Sequence, residues 1–478
     1  MNSPKRILFV KPPDRFLEDE FVYQQLGPNY LQSFLAEHGA PSDLAIFYQS
    51  EEARTERSTN PERPLRLEDL KALLIRSDGT SSDEFFDEKI FLDYEVIAMS
   101  VMTPQAPDAY LLNKKIKQLH PGITTVIGGS HPRYYQDQVV ALPSELSFDF
   151  ITPQDGWQPI LDITIGKAEK TNGPRVLADN MSKLTDLPPP TRPHQLMKRY
   201  KFEIGGAPAF HTVTALGCPF TCHFCESGIE SIRTFSNQMI DQDLSVMAEV
   251  HRELGHSTSA VMFFDDIGLM SPKQVERLSI LVSKHRFTTW RAFTHAYLVV
   301  RHKENLLVPF RDTGGMRVGI GIETGSQRSL DLINKRNGKR QYVQDHVDAV
   351  SIVNHLGIAV DAFTMIYPWE DEQDLADTTE LVEFVVTNKV NGVDSKGRPL
   401  LNHVDSSIMS PYQGTKFYDL MTAETIPSVR LDPTMDPGIL YYKGNDGGSG
   451  WPYLQTRLPR SEYEAAQAYR NSLRPAYR

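Results

Sequence analysis

Short apolar runs alternate with amphipathic stretches over the first third of the chain. Ile7-Leu-Phe-Val10 is one such run, closed by Lys11-Pro-Pro13. Tyr30 to His38 carries Leu31, Phe34 and Leu35 at helical spacing, and Gly39 supplies a stop. Leu44 to Tyr48 reads as a second strand. The stretch from Glu51 to about Lys89 is polar and reads as an insertion with one helical candidate, Leu67 to Arg76. Val96 to Ser100 is a third strand. Pro107 then opens a helix with Ala109, Leu112, Ile116 and Leu119 on one face, ended by Pro121-Gly122. Ile123 to Ile127 is a fourth strand that runs into Gly128-Gly129. Strands alternating with helices predict a parallel, doubly wound sheet, whose ligands sit at the carboxyl ends of the strands. Pro12-Pro13, Ser100 and Gly128-Gly129 fall at those ends.

A second alternating region follows a proline-rich connector (Leu187-Pro-Pro-Pro190, Thr191-Arg-Pro193) that reads as a semi-rigid spacer. Strand candidates recur at His211–Leu216, Ala260–Phe264, Arg291–Thr294, Arg317–Ile322, Val360–Ile366 and His403–Met409. Helical patterns such as Asp243–Leu254 and Gln274–Lys284 separate them. Six βα units suit a partial barrel, with its chemistry at the carboxyl ends of the strands. The pattern weakens after Phe417, where Asn445 to Gly450 reads as a flexible loop and Arg460 to Ser472 as a last helix. The expected organisation is therefore an α/β chain. A Rossmann-like unit over 1–150 is followed by a connector over 151–205, a (β/α)6 barrel over 206–416 and an extension over 417–478.

Composition narrows the partners. Fifty basic residues stand against 61 acidic ones, a net charge of −11, and no basic stripe suits a nucleic-acid duplex. No uncharged apolar window reaches the roughly 18 residues a spanning helix needs, so no membrane partner and a cytoplasmic location are expected. The cysteines say more. There are three, Cys218, Cys222 and Cys225, in the segment Gly217-Cys218-Pro-Phe-Thr-Cys222-His-Phe-Cys225 just past the first barrel strand. Three thiols so close together do not make a disulfide framework. They can each hold one iron of a four-iron cluster and leave the fourth open to a substrate or cosubstrate. A zinc site with His223 as fourth ligand, or three inert thiols, are the alternatives.

The spacing Cys-x3-Cys-x2-Cys, with the aromatic Phe224 before the last cysteine, resembles the radical S-adenosylmethionine (SAM) superfamily. In that family the three cysteines hold a 4Fe–4S cluster, SAM ligates the open iron, and reductive cleavage gives a 5′-deoxyadenosyl radical. Phe263-Phe-Asp-Asp266 resembles the family's second-strand end. Gly319 to Arg328 is similar to the fourth-strand segment that touches the cosubstrate, which makes Glu323 its polar contact, and Ser410 to Thr415 resembles a sixth-strand turn. Thr294-His-Ala-Tyr297 and Ile366-Tyr-Pro-Trp-Glu370 depart from the family pattern at strand ends expected to face the substrate.

The N-terminal unit resembles the cobalamin-binding domain attached to many such enzymes. Ser100-Val-Met-Thr103 and Gly128-Gly129 stand at its cofactor-contacting strand ends, and Gln25 to Tyr30 resembles the loop before its first helix. The histidine motif that gives cobalt a lower ligand elsewhere is absent, with Lys11-Pro-Pro-Asp14 near its place; His131 is a further pocket candidate. The resemblance implies cobalamin, an external electron donor of flavodoxin or ferredoxin type, and a small-molecule substrate. It also implies methyl transfer from methylcobalamin to an unactivated carbon of a secondary-metabolite intermediate. Cyclisation or rearrangement without methyl transfer is the second expectation, and a non-catalytic corrinoid or redox-sensing module the third. A transfer-RNA methylthiolating enzyme would need three further cysteines.

Overall fold

The computed structural model describes residues 3–14, 19–59, 66–179, 183–227, 230–394, 397–431 and 454–475. The chain divides into two compact units, Met1–Tyr200 and Lys201–Arg478.

The first unit is built on one sheet. Its strands are β1 (Ile7–Lys11), β2 (Ser42–Gln49), β3 (Leu70–Ile75), β4 (Ser81–Phe85), β5 (Val96–Ser100), β6 (Thr124–Gly128), β7 (Phe150–Thr152) and β8 (Arg175–Val176). They lie in the order β4-β3-β2-β1-β5-β6-β7-β8. Pairing is parallel from β2 through β8, while β3 and β4 run antiparallel at one edge. Every residue of β1 and β2 is buried. That is why their sequences read as continuous apolar runs rather than alternating ones.

Three expectations change here. Leu67–Arg76 is not a helix: a single turn at Leu67–Asp69 leads into β3. Leu-Lys-Ala-Leu-Leu-Ile is apolar enough for either state, and its length of six residues is a strand's. The signal that decides it is Asp78-Gly79, whose glycine at φ +86° turns β3 back into β4. The polar stretch also holds a helix, Glu51–Thr59. Finally, the connector starts late. β7 and β8 belong to the first sheet and the helix Trp157–Thr164 lies between them in the chain, and the proline-rich segment is tied to this unit by Arg192 Nη1 donating to Gln24 Oε1 at 2.6 Å.

The second unit carries a seven-stranded sheet in the order β17-β16-β15-β14-β13-β10-β9. β9 (Glu203–Ile204) is a short antiparallel edge on β10 (Ala207–Thr212). β13 (Ala260–Phe263), β14 (Thr289–Thr294), β15 (Gly315–Glu323), β16 (Ala359–Ile366) and β17 (His403–Ile408) follow in parallel register, giving six parallel strands with β10. The first of them ends earlier than the apolar pattern implied. Ala215–Leu216 forms a separate ribbon, β11, against β12 (Arg233–Thr234).

The intervening helices begin earlier than their apolar periodicity, because their caps lie upstream of it. Ser236 Oγ accepts from Met239 N at 3.1 Å before Asn237–Glu253, and Ser271 Oγ from Gln274 N at 3.3 Å before Pro272–Lys284. The last helix occupies Arg460–Ser472, as its periodicity predicts, and closes the edge at β17. Asn471 there does the work of a neighbouring strand. Its Oδ1 accepts from Ser406 N at 3.0 Å and its Nδ2 donates to Ser406 O at 3.0 Å. The loop expected at Asn445–Gly450 lies outside the described residues. Among the described residues no helix is long and apolar enough to cross a membrane.

Candidate active site

The cysteine loop leaves β11 at Gly217, whose φ is +85°. A Cβ there would stand 2.7 Å from Ser231 O, so only glycine lets the chain turn at this point. Cys218, Cys222 and Cys225 follow, all partly exposed and none in a disulfide. Cys225 N donates to Cys222 O at 3.1 Å, which winds the last two cysteines onto one turn.

Both ends of the loop are braced from the carboxyl end of β13. Buried Asp265 uses Oδ1 to accept from Thr214 N (2.8 Å), Thr214 Oγ1 (2.9 Å) and Ala215 N (2.5 Å). Asp266 accepts from Ser227 Oγ at 3.1 Å. The middle is held by the segment after the helix Gln327–Leu332. His223 N donates to Ile333 O at 3.0 Å, and the His223 ring meets Leu332 O through Nδ1 at 2.8 Å. Asn337 accepts from Thr221 N at 2.7 Å and donates to Pro219 O at 2.6 Å. Asn334 and Asn337 both adopt positive φ, at +51° and +53°, which asparagine tolerates better than most residues.

Glu323 ends β15 at φ +55° and is buried. Its Oε1 accepts from Lys335 Nζ at 2.7 Å, and the ammonium lies 6.0 Å from the Phe224 ring centroid. Gly321 leaves room for this pair, because a Cβ there would push against Glu323 Oε1 and Lys335 Nζ. Burial pushes the Cys218 thiol up to about 11 and the Cys222 thiol up to about 12, and the Lys335 charge works against both shifts. Although burial pulls the other way, the Glu323 carboxylate holds Lys335 above the ordinary lysine value. Neither of those two thiols therefore ionises by itself near neutral pH. A bound cation must supply the charge that makes them thiolates.

In the first unit, Ser100 pairs with Gly128 where β5 and β6 end. A Cβ on Gly128 would stand 2.6 Å from Thr152 Oγ1, and one on Gly129 (φ +96°) 2.6 Å from Val101 O. These glycines let the two strand-end loops cross. Thr103 is buried and meets His131 Nδ1 at 3.2 Å, while His131 Nε2 meets Tyr110 OH at 2.6 Å. Both ring nitrogens of His131 are thus engaged, and its side chain is buried.

The superfamily profile for radical SAM proteins matches residues 212–382, and that for the B12-binding domain matches residues 65–151. The chain is a radical SAM enzyme with a B12-binding domain. It is 23% identical over 385 residues to an uncharacterized methyltransferase of Pyrococcus horikoshii, covering 75% of this chain and 78% of that one. It is also 23% identical over 306 residues to the anaerobic magnesium-protoporphyrin IX monomethyl ester cyclase of Rubrivivax gelatinosus, covering 59% and 52%. Its fold is that of OxsB, solved with aqua-cobalamin and SAM (TM-score 0.67, 14% identity, 97% of this chain and 66% of that one). It is equally that of the methyltransferase TsrM from Kitasatospora setae, solved with cobalamin and a 4Fe–4S cluster (TM-score 0.64, 10% identity, 99% and 91%).

The residues of this radical SAM enzyme fit the cofactors its two domains bring. Among the described residues no three His, Cys, Asp or Glu side chains close around a single ion. A cluster asks for something looser, because each thiolate ligates its own iron. In the B12-binding unit, several buried polar atoms have no hydrogen-bond partner among the described residues: Lys11 Nζ, both amide atoms of Asn29, Gln24 Nε2 and Gln105 Nε2. Lys11 ends β1 and Gln105 follows β5, and such atoms need the hydrogen bonds that a large amide-bearing cofactor carries.

The departures from the family pattern have another use. His295 stacks on Phe220 at 4.3 Å and meets Lys335 O at 3.1 Å, while Tyr367, Trp369 and Glu370 are wholly buried. All four side chains are buried, and the Tyr367 ring lies within electrostatic reach of Glu323 and Cys222. Sequence reasoning missed Lys335 and the two asparagines, although Asn337-Gly338 is a turn signature in itself.

Proposed function

We propose that this enzyme transfers a methyl group to an unactivated carbon of a small biosynthetic intermediate. When bound, the cluster and SAM supply a 5′-deoxyadenosyl radical and cobalamin supplies the methyl group, so the cofactors carry the difficult chemistry. In this reading Cys218, Cys222 and Cys225 hold the cluster. Phe224 covers it, and Glu323, fixed by Lys335, meets the polar end of SAM. Ser100, Thr103, Gly128 and Gly129 line the cobalamin site. The protein's share is to hold the reacting carbon in place and to exclude water.

The observation that carries the reading is the pairing of a three-cysteine loop past the first barrel strand with a B12-binding sheet in one chain. The methyltransferase name of the Pyrococcus relative supports methyl transfer. A second reading, oxidative cyclisation without methyl transfer, draws on the cyclase name of the Rubrivivax relative. SAM carrying a deuterated methyl group separates them. Incubated with the holoenzyme, a reductant and candidate metabolites, it gives a product bearing the label if the methyl reading holds. Formation of 5′-deoxyadenosine with an unlabelled product would overturn it in favour of cyclisation.

A further inference from the structure

The parallel strands of the second unit turn their two faces to different surroundings. One face packs on helices: Phe263 meets Trp290 at 5.5 Å, and Trp290 meets Phe310 of the helix Glu304–Asp312 at 4.6 Å. Side chains alternate along a strand, so Phe264 and Phe293 turn to the other, inner face. Their rings touch edge to face at 5.9 Å, and Phe293 in turn touches Phe363 of β16 at 5.9 Å. The row of rings spans four adjacent strands, from β13 to β16, about 14 Å at the usual strand spacing.

β15 adds no side chain to this row. Gly319 lies between Phe293 and Phe363, where a Cβ would stand 2.3 Å from Phe293 Cδ1 and 3.3 Å from Phe363 Cε2. The bare position lets both rings lean over the strand. Gly321 follows two residues on, about 7 Å along β15, beside the Glu323–Lys335 pair. The row is therefore continuous with the site described above.

Phenylalanines inside a barrel are ordinarily sealed core, and these are not. Phe264 is 41% exposed, and Phe293 and Phe363 are half-buried. Charge on the same face is already committed. Arg291 and Arg317 both pair with Asp361, at 2.7 Å and 2.6 Å, and Asp405 pairs with Arg474. The rings are inclined to one another by 88° and 54°, so a flat ring laid on Phe293 meets Phe264 at right angles and Phe363 obliquely. Aromatic groups prefer such edge-on and offset arrangements.

We propose that Phe264, Phe293 and Phe363 form a cradle for the substrate, and that the part of the substrate they hold is a planar, uncharged, conjugated system of two or more fused rings. The proposal rests on the cluster-and-SAM reading of this site and deepens it by naming the substrate's chemistry. An aliphatic chain or a sugar would fill the space without the ring contacts. A charged group would meet arginines and an aspartate already engaged with one another, and its desolvation would go uncompensated.

The test uses 2-naphthol as a planar probe and 2-decalol, the saturated form of the same skeleton, as its non-planar counterpart. Binding of each to the reconstituted holoenzyme is measured by equilibrium dialysis, alongside binding of radiolabelled SAM. The native protein should hold 2-naphthol about fivefold more tightly than 2-decalol. Phe264→Leu and Phe363→Leu keep an apolar side chain and remove the ring. Each should weaken 2-naphthol by about threefold or more and change 2-decalol and SAM by less than about twofold. Phe264 is exposed enough for its replacement to leave the fold intact, and urea midpoints check both variants. Saturating SAM should leave 2-naphthol binding in place. Displacement of 2-naphthol by SAM would overturn the proposal, since the rings would then belong to the adenine of the cosubstrate. So would absence of 2-naphthol binding, equal affinity for the two probes, or variants that weaken both probes alike. If labelled SAM fails to bind the native holoenzyme, it is the reading of the site that falls instead.

Discussion

Replacing Lys335 with methionine removes the cation from a pair in which both side chains are nearly sealed from solvent, at 7% and 8% exposure. The Glu323 carboxylate would keep its place at the end of β15, because Gly321 and Glu323 itself are paired with β16. It would be left as an unmatched buried charge. Breaking one side of a buried ion pair costs about 3–5 kcal/mol, whereas removing both sides together costs little. Lys335→Met should therefore destabilise the barrel by about that amount in urea unfolding of the cluster-free protein. Lys335→Met/Glu323→Gln should recover most of the loss, giving a coupling of about 2–4 kcal/mol in the double-mutant cycle. A loss below about 1 kcal/mol for the single variant, or a double variant no better than the single, would refute the pairing argument. The same pair touches function. The single variant should also reconstitute with less iron, since Lys335 opposes the burial that holds the Cys218 and Cys222 thiols protonated.

Other outcomes follow from the same geometry. Alanine in place of Cys218, Cys222 or Cys225 should each abolish formation of 5′-deoxyadenosine from SAM, measured by chromatography; a triple variant that still forms it would remove the basis for the cluster. Gly129→Ala forces a Cβ against Val101 at φ +96° and should lower the melting midpoint of the first unit by several degrees, with poorer cobalamin retention. Burial holds His131 down at about 4. The unfolded chain therefore binds its proton first as pH falls, so the full contribution stands above about pH 6.5 and is lost progressively down to about pH 4, at most about 3 kcal/mol. His131→Phe should flatten that part of the stability–pH curve, and an unchanged slope would show that His131 does not set it.

Much of the fold was legible because its parallel strands are buried on both faces and so read as plain apolar runs. The six barrel strands, the helix Arg460–Ser472 and the place of the cysteine loop all follow from that pattern. The β3–β4 edge does not, because a six-residue apolar run fits two states and only the Asp78-Gly79 turn tells them apart. The start of the connector is not legible either, since β7 and β8 are only three and two residues long and show no period. In the site, cysteine spacing is a local signal and Lys335 is not. Its partner lies twelve residues away, and nothing in a lysine between Asn334 and Arg336 shows that it folds inward. The departures at His295 and Trp369 stand at strand ends, and strand-end position alone does not tell how deeply such a side chain is buried.

The central claim is that one chain holds both a cluster and cobalamin. Anaerobic reconstitution with iron, sulfide and hydroxocobalamin, then desalting, metal analysis and absorption spectroscopy, tests it directly. The account predicts about four irons and about one retained cobalt per chain. Four irons with no cobalt would reduce the first unit to a scaffold and remove methyl transfer with it.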